Sequence, residues 1–124
     1  MMSGSVQPNF DAVVTLLLRG PDGTSVDVQA LVDTGFNGSL TLSTEIVQSL
    51  NLPFRERVQY VLADGTESES RLFIAEIKWF GRWRRIPVAE MDGDPLFGMA
   101  AMQGSFLGIE IVDGGRVEIR RLGP

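Results

Sequence analysis

ALVDTGFNGSLTLS, residues 30–43, sets a single carboxylate at the end of an apolar run and follows it with Thr-Gly, a polar loop and a second short apolar run. An ionised side chain is costly to bury without a partner, so Asp33 either caps a turn or is held in place for use. Glycine at position 35 lets a partner's backbone come close and leaves its own N–H free to donate to the acid. The hydroxyl of Thr34 can satisfy a polar group across an interface. Taken alone, the triplet reads more simply as a turn cap, because tripeptides recur by chance.

Composition narrows the chemistry open to that carboxylate. The 124 residues, 44% hydrophobic and 22% charged, suit one globular unit with a real core. A single domain is expected over residues 10–124, preceded by a flexible segment at 1–9. The longest apolar runs, such as VVTLLL and LFIAEI, fall well short of the roughly 20 residues of a membrane span. Met1 to Asn9 lacks the basic start and apolar stretch of a secretion signal, so a cytoplasmic protein without a membrane partner is expected. The chain has no histidine and no cysteine, which removes imidazole bases, thiolate nucleophiles, Cys and His metal sites and disulfides together. Lys78, the one lysine, sits in a strand-like run and reads as a solvated side chain. Acid–base chemistry without a cofactor must therefore come from carboxylates.

Outward from Asp33 the pattern is that of strands. Residues 10–18 are mostly apolar or β-branched, GPDGT supplies a turn, and VDVQALV returns with alternating burial. After the short strand in GSLTLS, Ser43 or Thr44 caps a short helix through TEIVQSLNL, with Pro53 as its stop. Residues 58 to about 78 form a long hairpin tipped by Asp64 and Gly65; GRWRR turns the chain into IPVAEM. LFGMAAMQG reads as a strand end entering a short helix, and FLGIEIV with RVEIRRL as a closing hairpin about Gly114-Gly115. The expected fold is mainly β, a closed barrel-like sheet with one or two short helices.

Three stretches in this order resemble the retropepsin-like aspartic proteases. ALVDTGFNGSLTLS is similar to their apolar strand, catalytic loop and following strand, YVLADGTESESRLFIAEI to their flap hairpin, and DPLFGMAAMQGSFLGIEI to their apolar-apolar-glycine strand, helix and subsequent strand. The resemblance runs from about Val13 to Ile119 and is close to small bacterial and archaeal single-domain members that carry DTGFNG. It implies an aspartic endopeptidase acting on peptide or protein substrates. Pepsin-type members hold two Asp-Thr/Ser-Gly loops in one chain, whereas this one has a single loop, so the resemblance implies a homodimer that pairs Asp33 with its own symmetry mate.

The site residues that follow from the resemblance are Asp33, Thr34 and Gly35 for catalysis, with no metal and no cofactor. Phe36, Ala63, Asp64, Gly65 and Leu96 would contact substrate, the middle three as a flap tip. Phe36 stands where many relatives have a small residue, and Ala100 where members often carry Asp, Asn or Arg. RVEIRRL could add a strand to a dimer sheet. The alternative is an inactive dimer of the same fold that binds peptides or regulates. A carboxylate metal site at Asp92 and Asp94 is poorly supported, because MDGDP is too short for a Ca²⁺ loop. Nucleic acid is not expected as a partner, given a net charge of −5; RWRR reads instead as decoration of a hairpin.

Overall fold

A computed structural model describes residues 1–123, and of Tyr60 the backbone alone. Among these residues the elements are β1 (Met2–Val6), β2 (Ala12–Arg19), β3 (Ser25–Val32), β4 (Leu40–Leu42), α1 (Thr44–Ser49), β5 (Phe54–Val61), β6 (Glu67–Trp79), β7 (Arg82–Glu90), β8 (Leu96–Phe97), β9 (Ser105–Ile109) and β10 (Arg116–Arg121). The fold is mainly β with one short helix, as the sequence pattern implies.

Alternation builds the first hairpin. β2 and β3 pair antiparallel from Val13↔Leu31 to Arg19↔Ser25, which sends Val14, Leu16, Leu18, Val28 and Ala30 into the core. The strands follow the order β5-β6-β7-β4-β8-β3-β2-β1-β10-β9, and a second pairing of β6 with β2, at Leu18↔Ile77 and Arg19↔Glu76, closes a ring through β2, β3, β8, β4, β7 and β6. All six ring strands feed one core, where Leu16, Leu18, Leu40, Leu42, Ile77, Ile86, Val88 and Phe97 are at most 1% exposed. Burying each such side chain contributes about 1.5–3 kcal/mol before chain entropy is counted.

The chain ends form a flank on this ring. β1 lies between β2 and β10, pairing Gly4 with both Val14 and Val117, and β9 closes on the far edge of β10. Met2–Val6, within the stretch expected to be a flexible segment, is thus a strand paired on both sides. Its partner Ile119 is a chain's length away from Met2, a contact that no local pattern announces. β10 likewise pairs with β1 over Arg116–Ile119 and with β9 over Val117–Arg121, so most of RVEIRRL is already laddered within the subunit.

Three boundaries differ from the sequence reading. RWRR is strand rather than turn: Phe80 and Gly81, both at positive φ, make the reversal, and Trp79 pairs directly with Arg82. The segment after β8 is a run of turns rather than a helix. The N–H groups of Met102 and Ser105 reach back three residues, and Gly104 in the left-handed region stops the run. α1 is capped by Ser43, whose hydroxyl accepts the Ile46 N–H at 3.4 Å, and it ends before Asn51, whose φ of 50° breaks the helix ahead of Pro53.

Candidate active site

Asp33 is the first residue beyond β3, and the backbone on either side holds it there. The Leu31 N–H donates to the Pro95 carbonyl at 2.8 Å and the Asp33 N–H to the Phe97 carbonyl at 3.0 Å, so β8 runs parallel to β3 and reaches the acid itself. On the other side of β8, Leu40 pairs with Phe97 and the Gly98 N–H donates to the Ser39 carbonyl at 2.9 Å. The Thr41 hydroxyl, on a residue only 1% exposed, accepts the Leu96 N–H at 2.9 Å. A two-residue strand is thereby clamped between two others, and the strand end carrying Asp33 inherits that rigidity.

Within the loop, the Gly35 N–H donates to Asp33 Oδ1 at 2.9 Å and the Phe36 N–H to the Asp33 carbonyl at 3.2 Å. The first contact orients a half-buried carboxylate. A Cβ on residue 35 would lie 3.2 Å from the same Oδ1, tight enough that the carboxylate would have to give by a few tenths of an ångström, so glycine suits this place. The Phe36 ring packs over Gly38 and Gly98. A Cβ at Gly98 would stand 2.2 Å from the Gly38 carbonyl oxygen and 2.5 Å from the ring, a clash that explains the glycine after Leu96 and Phe97. The bulk of Phe36 is thus accommodated by two neighbours without side chains.

A cleft of about 790 Å³ opens between this loop and the β5–β6 hairpin, lined by Gly35, Phe36 and Gly38 below, Val58 and Val61 from β5, and Leu72 and Ala100. The hairpin tip is a tight turn: the Leu62 N–H donates to Thr66, the Gly65 N–H to Leu62, and Asp64 Oδ1 accepts both the backbone N–H and the hydroxyl of Thr66 at 2.9 and 2.6 Å. Those two bonds, the hydroxyl's first, hold the exposed Asp64 carboxyl below its ordinary pKa of 3.8. Ala63, Asp64 and Gly65 are exposed at this tip, outside the cleft lining. Asp33, Thr34 and Leu96 line a second pocket of about 370 Å³ together with Val6, Phe10 and Ile111. The two sequence-adjacent residues Leu96 and Phe97 therefore divide, one toward the pocket and one into the core.

Thr41, Val58 and Val61 were not singled out by the sequence. A signal for Thr41 existed: a hydroxyl between two leucines in a short buried strand needs a partner, and here the partner is the backbone of β8. Behind the site, Arg84 donates to the Ala101 carbonyl at 2.9 Å and lies 4.8 Å from the Trp79 ring centre, bracing the turns after β8 where position 100 carries only a methyl; burial lowers its pKa. Trp83 lies beneath the Arg19 guanidinium at 4.0 Å, with the Lys78 ammonium 5.1 Å from its ring centre. Among the described residues, no helix is long and apolar enough to cross a membrane.

In structure the chain is similar to the EIAV protease complexed with the inhibitor HBY-793, with a TM-score of 0.52 and 21% identity over 75% of this chain and 86% of that one. No curated protein matches it. A family model described as aspartyl protease matches residues 14–111, which take in Asp33, the β5–β6 hairpin and β8. The chain belongs to the aspartyl protease family and has its retropepsin-like fold.

Proposed function

We propose that this protein is an endopeptidase whose working centre is a pair of Asp33 carboxylates, one from each subunit of a homodimer. The observation that carries the reading is the placement of the chain's single Asp-Thr-Gly: an acid fixed by strand β8 and by the Gly35 N–H, in a loop whose next residues, Gly35 and Phe36, line a cleft roofed by a hairpin. One such acid is half of a site. Paired acids supply both a base and an acid, and aspartic proteases are the standard case of two carboxylates about 3 Å apart that share one proton because both cannot ionise cheaply.

In that state the ionised carboxylate takes a proton from a water held between the two. The protonated one donates to the carbonyl oxygen of the scissile peptide, and the water oxygen adds to the carbonyl carbon. The tetrahedral intermediate then collapses with a proton delivered to the leaving nitrogen, and no covalent bond to the enzyme is formed. Gly35 and Phe36 would contact an extended peptide in the cleft, with Val58 and Val61 above it and the tip at Ala63, Asp64 and Gly65 closing to exclude water. Thr34 and Leu96, beside Asp33, would support the pair.

The test is peptide cleavage across a pH series by the wild type and Asp33→Asn, with sedimentation alongside. The expected result is a bell-shaped profile, because the pair works only when singly protonated, and a loss on the order of 10²–10⁴-fold or more in the variant at every pH. Cleavage that survives in Asp33→Asn, or that a strict monomer performs, overturns the reading. A dimer that binds peptide equally well with Asp or Asn and never cuts it supports a binding module instead.

A further inference from the structure

Three hairpin loops in this fold are close copies of one another. In QPNFD (7–11), GPDGT (20–24) and LADGT (62–66) the first N–H donates to the fifth carbonyl at 2.8–2.9 Å and the fourth N–H to the first carbonyl at 2.8–3.1 Å. In each, the side-chain oxygen of the third residue, Asn9, Asp22 or Asp64, accepts the fifth N–H at 2.9–3.1 Å. This is a turn followed by a bulge whose fourth residue must take the left-handed conformation. Gly23 and Gly65 take it at φ +86° and +85°; in the first loop the seat is held by Phe10 at φ +68°.

A side chain there is disfavoured by its own Cβ, most of all a bulky one that does not bond to its backbone. The ring gains little inside the subunit in return, being 65% exposed and outside the core cluster. An outlier that the local fold does not need points to a use elsewhere. The ring's position names that use: Phe10 and Ile111, itself 72% exposed, rim the pocket that holds Asp33 and Thr34, and this pocket shares no lining residue with the cleft under the β5–β6 hairpin.

We propose that Phe10 is the docking residue that seats a second copy of this chain over the Asp33 loop. The inference rests on the dimeric reading above and deepens it. Two observations favour a second copy over a peptide as occupant. Asp33 and Thr34, which must face their own counterparts for the pair to form, open onto Phe10's pocket, while Gly35 and Phe36, the next residues of the same loop, line the cleft that a peptide would enter beside the acids. β1 and β10 are paired on both sides within the subunit, so the two terminal strands themselves offer a second copy little free ladder, and contacts between side chains beside the Asp33 loop gain weight in holding it. An aromatic ring presented at the edge of a pocket lined mostly by apolar residues is the kind of group that dominates such contacts.

Phe10→Gly tests this, because glycine suits the left-handed seat and removes only the ring; Phe10→Asn, which also tolerates that conformation, is the second variant. The expected result for both is a melting temperature, read at a dilution where the wild type is monomeric, equal to or above that of the wild type, with dimer dissociation weakened on the order of 30-fold. Peptide cleavage at low protein concentration falls with it and recovers when concentration is raised. If the wild type dimerises and both variants dimerise equally well, or if both melt lower as monomers, the role of Phe10 is overturned while the dimer stands. If the wild type sediments as a monomer while cutting peptide, the dimeric reading itself fails.

Discussion

At the scale of single residues, what matters around Asp33 is geometry that a side chain would spoil or a missing hydroxyl would loosen. Gly35 and Gly98 are set by close approach, to Asp33 Oδ1 and to the Gly38 carbonyl. Thr41 is set by a bond, and its replacement is informative because valine keeps the shape. Thr41→Val leaves the Leu96 N–H without its acceptor, and we expect a loss of about 1–3 kcal/mol in urea unfolding. Peptide cleavage should fall by more than the loss of folded protein explains, since β8 positions Asp33. Asp33, Gly35 and the glycine after Leu96-Phe97 were legible in the sequence because each belongs to a short stretch of characteristic order. Thr41 and Phe10 were not, because their meaning lies in a partner strand and in a backbone angle.

Elements were read more surely than their ends. Both long hairpins follow from alternation and turn residues, and α1 follows from its Ser43 cap. The reversal at Phe80-Gly81 was misplaced by two residues because arginine-rich polarity looked like a loop, whereas Trp83 and the aliphatic stems of its neighbours pack well in a strand. The β5–β6 tip carries a pH signature whose sign is fixed by Asp64. Its folded pKa lies below 3.8, so the folded state binds fewer protons than the unfolded one in the window beneath that value. The turn's contribution is therefore complete above pH 3.8 and is lost as pH falls through the lowered folded value. NMR titration of the Asp64 carboxyl, with hydrogen exchange at the Thr66 amide, should show an intact tip throughout a mildly acidic assay. Protonation of Asp64 above 3.8 in the folded protein, or a Thr66 amide already unprotected there, would count against the Thr66 bonds.

For the whole molecule, the ring closed by β6 on β2 and the flank made by β1, β10 and β9 place the lone acid at an open face. The proposal that the site is half of a pair rests on one Asp-Thr-Gly in 124 residues, a feature the sequence alone displays. How the chain ends are disposed was not, because the pairing of β1 with β10 spans nearly the whole chain and leaves no local trace. The central claim is that two copies share one site, and subunit mixing tests it most directly. Wild-type protein at fixed concentration is titrated with Asp33→Asn subunits and its peptide cleavage measured after exchange. If the acids act in pairs, a threefold excess of the variant leaves roughly a quarter of the activity by random assortment of a two-fold dimer. Activity that stays constant as variant subunits are added would contradict the shared centre.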